Sequence, residues 1–132
     1  MTRIYVGPGS LLDLGSVGET ELLTAFDGEI IIPEIVALEV STEPAKTNME
    51  ALLDEGKAII EQVDTDYAAQ AQRIMGVDGP VVESRLLEVV LERMYEGDDS
   101  DGEEEPSPAI GLVTEDRRLR TVAEGLGATV TG

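Results

Sequence analysis

Carboxylates beside apolar runs are the residues of this chain best suited to chemistry. Thr114-Glu115-Asp116 directly follows the apolar run 111–113, and Glu39 lies inside the apolar stretch 35–40. Ligands of open parallel sheets bind at the carboxyl ends of the strands, where such acids could hold a hard divalent cation or handle a proton. For Glu39, the alternative is a position on the exposed face of a helix.

The composition excludes several other kinds of catalysis. The 132 residues include no histidine and no cysteine. This rules out disulfides, thiolate nucleophiles, histidine-based triads and zinc bound by either side chain. Catalysis would have to use carboxylates, hydroxyls, the few basic side chains or a cation bound by oxygen.

The chain is strongly acidic, with 28 Asp and Glu against 9 Lys and Arg and a formal charge of −19. Lys46 and Lys57 are its only lysines. This scarcity of lysine among many acids is typical of proteins from salt-loving organisms, and a surface for a basic partner is the alternative. Because the Debye length falls to about 3 Å at 1 M salt, the charge does not exclude an RNA or DNA partner.

Short apolar runs alternate with helical patterns along the chain. Strands are predicted at 3–6, 29–32, 57–63, 111–113 and 128–130, and helices after Ser10, over 20–26, from Pro33 to Pro44, over 47–54, from 64 to 74, from Pro80 to Gly97 and over 117–124. The alternation predicts one α/β domain spanning 1–132, a three-layer sandwich with a mostly parallel sheet. Ile30, Ile31, Ile32, Leu112 and Val113 are expected to be buried in neighbouring central strands.

Segment 97–108 differs from the rest of the chain. It contains six acids and no base, which predicts a solvated, mobile loop. Elsewhere, no apolar run is long enough to span a bilayer, and the apolar stretch at the start is too short for a secretory signal. We therefore expect a cytoplasmic protein with no membrane partner.

The order of these elements and three local strings resemble the PIN-domain family, which includes the VapC-type toxins and other Mg²⁺-dependent ribonucleases. The strings are IYVGPGSLLDLGSVGE at the start, IIIPEIVALEV from residue 30, and GLVTEDRRLRTVAEGLGATVTG at the end. The last is the most specific, because Thr-x-Asp follows a strand there and a helix leads to Gly and a final strand. With the order of the elements between these strings, the resemblance covers nearly the whole chain.

The resemblance implies a cluster of acids that holds one or two Mg²⁺ or Mn²⁺ ions and activates water for attack on a phosphodiester. Glu39 matches the second acid of the family, and Asp116 matches the Asp of Thr-x-Asp, with Glu115 beside it. Glu83 fits the third acid best because it lies at the start of a helix, and Asp78 is the competing choice.

The chain departs from the family at the first acid, which falls on Gly7. Glycine has no side chain to bind a metal, and Asp13, about a turn and a half into the next helix, is expected to point elsewhere. The resemblance therefore implies a degenerate metal site.

Arg117, Arg118 and Arg120 follow Asp116 directly. They could contact RNA phosphates near the site, or lie on the exposed face of a helix and pair with the abundant acids.

Three functions remain open at this point. The first is a PIN-like protein with a weakened or lost ribonuclease site, kept for binding RNA or a protein partner such as an antitoxin. The second is an active Mg²⁺- or Mn²⁺-dependent endoribonuclease of the toxin–antitoxin type that uses Glu39, Glu83 and Asp116. The third is a homodimeric interaction module without a role in nucleic-acid chemistry.

Overall fold

The structure, a computed structural model, describes residues 2–18, 23, 28–96 and 110–131. The strands are β1 Arg3–Val6, β2 Glu29–Pro33, β3 Ile59–Glu61, β4 Ile110–Val113 and β5 Thr129–Thr131. They form one five-stranded sheet in the order β3-β2-β1-β4-β5. Every neighbouring pair is parallel.

Helices cover both faces of this sheet. They are α1 Pro8–Ser16, α2 Glu34–Glu39, α3 Ala45–Asp54, α4 Ala68–Met75, α5 Val82–Glu96 and α6 Arg117–Gly125. Helix α1 contacts α2 and α3, whereas α5 contacts α4 and α6. Right-handed crossovers place the two groups on opposite faces of the sheet. The predicted α/β class, with three layers around a parallel sheet, is confirmed.

The core lies on the three inner strands. Ile30, Ile31, Ile32, Leu112 and Val113 are all buried, as predicted. Their strands are not neighbours, however, because β1 lies between β2 and β4. The chain crosses back over the sheet through α4 and α5, and therefore reaches the far side of β1 before it forms β4.

Several element boundaries differ from the prediction for local reasons. Helix α1 begins at Pro8, two residues before the predicted Ser10 cap, because proline is pre-organised for the first turn of a helix. Helix α2 ends at Glu39, and Pro44 is the N-cap of α3 instead of the end of α2. The strand predicted over 57–63 is reduced to the edge strand β3.

Two sequence predictions lie outside the described residues. They are the helix predicted over 20–26, of which only Leu23 is described, and the acidic segment 97–108. In the described part of the chain, no helix combines the length and the apolar character needed to cross a membrane.

Candidate functional site

The loops after β1 and β4 diverge at the carboxyl edge of the sheet. The connection after β1 leads toward β2, and the connection after β4 leads toward β5 on the other side. The two strands remain paired to their ends, since the Gly7 N–H donates to the Val113 carbonyl oxygen at 2.8 Å. A crevice between diverging connections is where open parallel sheets bind ligands, so this edge is the candidate site.

Gly7 closes β1 in a conformation that does not require glycine. Its φ of −82° and ψ of 165° are extended, and extended backbone is favoured before a proline such as Pro8. A Cβ added to Gly7 would lie 3.3 Å from the Val113 carbonyl oxygen and 3.6 Å from Thr114 Oγ1. A side chain at position 7 would therefore require its neighbours to move by a few tenths of an ångström, and its Cβ would lie beside Thr114.

Asp116 and Thr114 shape the loop that leads into α6. Asp116 is the N-cap of α6, and its Oδ1 accepts the Leu119 N–H at 2.7 Å. The buried Thr114 accepts the Asp116 N–H on its Oγ1 at 3.2 Å. Capping accounts for an aspartate at this position, and it uses one of the two carboxylate oxygens.

Glu115 is hydrogen-bonded to Asp13, which corrects the expectation that Asp13 points elsewhere. Side chains tilt toward the N-terminus of a helix, so Asp13 extends over Gly9, four residues earlier in α1. Gly9 leaves room there, since a Cβ at Gly9 would lie 3.0 Å from Glu115 Oε2. The hydrogen bond from Asp13 and its negative charge raise the pKa of Glu115. When both carboxyls are ionised, their mutual repulsion is relieved by a proton or by a bound cation.

Asp13→Asn is expected to lower the pKa of Glu115 and to flatten the pH dependence of stability. A raised pKa favours the protonated form in the folded protein, so the pair stabilises the fold below the ordinary pKa of glutamate, about 4.3. This stability is lost as the pH rises through the pKa of Glu115, because two carboxylates then repel each other. Carboxyl ¹³C NMR titration and thermal melts between about pH 4 and 7 measure both effects.

The control for this change is Asp54→Asn, at the exposed end of α3. It reduces the net charge equally but does not alter the pair. An equal change in the pH dependence of both variants would contradict a specific Asp13–Glu115 interaction.

The other sequence-predicted metal ligands lie on or between other elements of the fold. Glu39 is the exposed last residue of α2, Glu83 is half-buried in the first turn of α5, and Asp78 is exposed between α4 and α5. Within residues 2–18, 23, 28–96 and 110–131, no three carboxylates are grouped closely enough to hold one metal ion. Glu39, Glu83 and Asp116 therefore do not form a ready-made cluster.

The three arginines of α6 have different environments. Arg117 is exposed and Arg120 is half-buried. Arg118 donates from Nη2 to the Ile74 carbonyl oxygen at 3.0 Å, near the end of α4. Arg118 thus links α6 to α4, and the two flanking arginines are the better placed to contact a ligand.

A buried ion pair in α5 was not predicted from the sequence. Glu88 is fully buried; its Oε2 accepts from Arg85 Nη1 at 2.8 Å and its Oε1 from Thr65 Oγ1 at 2.9 Å. The signal was available in the sequence, because Glu88 interrupts an otherwise apolar run over 86–91. An apolar run longer than one helical turn covers every side of the helix, so a charged residue within that run is expected to be buried.

A second polar contact joins β1 to β3 across β2. The buried Tyr5 donates from its hydroxyl to Glu61 Oε1 at 2.8 Å, and Arg3 forms an ion pair with the same carboxylate. Burial and the adjacent Glu61 raise the pKa of Tyr5, so its phenol remains a hydrogen-bond donor. This contact stabilises the sheet.

No family model fits the chain, and no curated protein is significantly similar to it. The fold and the site define an α/β protein with an all-parallel sheet and a carboxyl pair at the edge where β1 and β4 end.

Proposed function

We propose that this chain is a PIN-like protein whose metal-dependent ribonuclease site is weakened or lost and which has kept the ability to bind RNA. The observation that carries the proposal is Gly7, at the end of the central strand β1 and beside Thr114. A carboxylate at this position would face the loop that holds Glu115 and Asp116. Glycine supplies no oxygen ligand to a cation there.

The remaining acids at this edge are already engaged. Asp116 uses one oxygen to cap α6, and the pKa of Glu115 is raised by its neighbour Asp13. Because Asp13 raises the pKa of Glu115, protonation of Glu115 competes with cation binding at a higher pH than it would for an isolated glutamate. The capping bond of Asp116 and the raised pKa of Glu115 both lower the affinity for Mg²⁺ or Mn²⁺ relative to a site with free carboxylates.

RNA binding is supported by the two arginines at the start of α6. Arg117 is exposed and Arg120 is partly exposed, and both lie within a turn or two of the loop 114–116. In molar salt, screening of the net charge of −19 removes the long-range repulsion of a polyanion.

Gly7→Asp is expected to raise Mn²⁺ affinity by about tenfold or more, because it supplies a charged oxygen ligand at the end of β1. Gly7→Asn is the matched control, since it has the same shape without the charge. Both residues are good N-caps for α1, so each variant should keep its stability within about 1 kcal/mol. Titration with Mn²⁺, with unfolding curves beside it, measures affinity and folding separately.

Three outcomes of this experiment would count against the proposal. Tight Mn²⁺ binding and cleavage of a mixed RNA pool by the unmodified protein would favour the active endoribonuclease. No gain in a well-folded Gly7→Asp would show that the acids at this edge do not act as metal ligands. Failure of the unmodified protein to bind the RNA pool in molar KCl would contradict a retained role in RNA binding.

A further inference from the structure

A second concave site lies at the same edge of the sheet, beyond β2 and β3. It is a pocket of about 140 Å³. Its polar lining is Glu34 from α2, Gln62 after β3 and Arg85 from α5, and its apolar walls include Ile35, Val63 and Pro80. We call it the Arg85 pocket. It is separate from the acids of loop 114–116, because β2 and β3 lie on one side of β1 and β4 lies on the other.

Arg85 is held in place by buried groups beneath it. Its Nη1 donates to Glu88, whose side chain is 0% exposed, and Thr65 donates to the other oxygen of Glu88. Burying a carboxylate is costly unless it is paired and hydrogen-bonded. An arginine carries five N–H donors, so this bond orients the guanidinium and leaves other donors for the pocket.

The lining is complementary to a neutral ring that carries both acceptors and donors. Arg85 donates hydrogen bonds, the Glu34 carboxylate accepts them, and the Gln62 amide does both. A simple anion in the pocket would be repelled at close range by the Glu34 carboxylate. Drug-sized ligands need roughly 300 Å³ or more, so this volume suits one ring system and not a whole nucleotide.

Guanine fits this lining better than the other bases. Its O6 and N7 are adjacent acceptors, the pair that arginine binds in bidentate fashion. Its N1–H and N2–H₂ are adjacent donors, and a carboxylate accepts two such bonds. Adenine places an N6–H₂ donor next to N7 and would therefore set a donor against the guanidinium.

We propose that the Arg85 pocket binds a single guanine base, with Arg85 donating to O6 and N7 and Glu34 accepting from N1–H and N2–H₂. Guanine binding deepens the proposed function. That the base belongs to an RNA strand rests on the proposed function. Hydrogen bonding to the edges of unstacked bases is typical of sequence-specific recognition of single-stranded RNA. In molar salt, where phosphate contacts weaken, such a pocket would supply sequence preference.

The test compares nucleosides, which lack phosphate and therefore report on the base alone. Guanosine, inosine and adenosine are titrated into the unmodified protein in molar KCl, and binding is followed by amide NMR shifts. Guanosine should bind at least about tenfold more tightly than adenosine, and inosine, which lacks the N2 amino group, should bind with intermediate affinity. Inorganic phosphate should not compete.

Variants assign the selectivity to the two side chains. Arg85→Lys keeps the charge that faces Glu88 but loses the bidentate donor, and should weaken guanosine binding about tenfold. Glu34→Gln should abolish the preference for guanosine over inosine. Arg73→Lys on α4 and Glu50→Gln on α3 are exposed controls that should leave binding unchanged.

Equal binding of guanosine and adenosine, or competition by phosphate, would overturn the guanine assignment without any variant. Selective binding that survives both Arg85→Lys and Glu34→Gln would place the base elsewhere and equally overturn it. Because nucleoside binding needs neither RNA nor Mn²⁺, failure of the RNA pool to bind counts against the proposed function alone. RNA binding without nucleoside selectivity counts against the pocket alone.

Discussion

Arg85→Met is expected to lower the free energy of unfolding by about 3 kcal/mol. The change removes the cation that pairs with Glu88, and the Glu88 side chain is 0% exposed. Loss of one partner of a buried ion pair costs about 3–5 kcal/mol, because a charge is left without compensation. Since Thr65 still donates to Glu88 and the Arg85 side chain is 25% exposed, the loss should fall at the lower end. Urea unfolding in molar KCl measures it.

The double variant Arg85→Met/Glu88→Leu tests the cause of this loss. Replacing a buried ion pair by apolar residues of similar volume is often neutral or stabilising, so the double variant should recover most of the lost stability. Arg73→Met, at an exposed position of α4, is the control for removing an arginine. A double variant no more stable than Arg85→Met alone would show that shape, and not the unpaired charge, causes the loss.

Gly15→Ala is expected to destabilise the fold by about 1–3 kcal/mol, the usual cost of overpacking. A Cβ at this position of α1 would lie 2.7 Å from Ala45 Cα and 2.8 Å from Ala45 Cβ. These atoms belong to the start of α3, and Asn48 of α3 donates to the Gly15 carbonyl oxygen at 2.7 Å. The two helices would have to separate. Thermal and urea unfolding measure the effect.

Gly125→Ala is the matched control for this clash. Gly125 is the last residue of α6, and a Cβ there would meet nothing within 4 Å. Alanine has a higher helix propensity than glycine, by up to about 1 kcal/mol in a helix interior, so this variant should be neutral or more stable. If both variants changed stability equally, close packing of α1 on α3 would not be the reason for glycine at position 15.

Much of the candidate site could be located from the sequence because it depends on where strands end. Gly7 and the loop 114–116 were placed at strand ends, and the pairing of β1 with β4 brings these ends together. The direction of Asp13 was predicted wrongly because it depends on a glycine one turn earlier and on a loop more than a hundred residues later. The Arg85 pocket was not predicted, since its lining comes from three elements that are distant in the sequence.

The class of fold and the buried residues of β2 and β4 follow from the amino-acid sequence alone. Strands in a parallel sheet are buried on both faces and therefore read as continuous apolar runs, as at 30–32 and 111–113. Three features depend on tertiary packing: β1 lies between β2 and β4, Glu115 lies beside Asp13, and Arg85 is paired with Glu88. Local periodicity reports which residues avoid water. Which buried or charged groups meet depends on contacts between distant segments, and these form only when the whole chain packs.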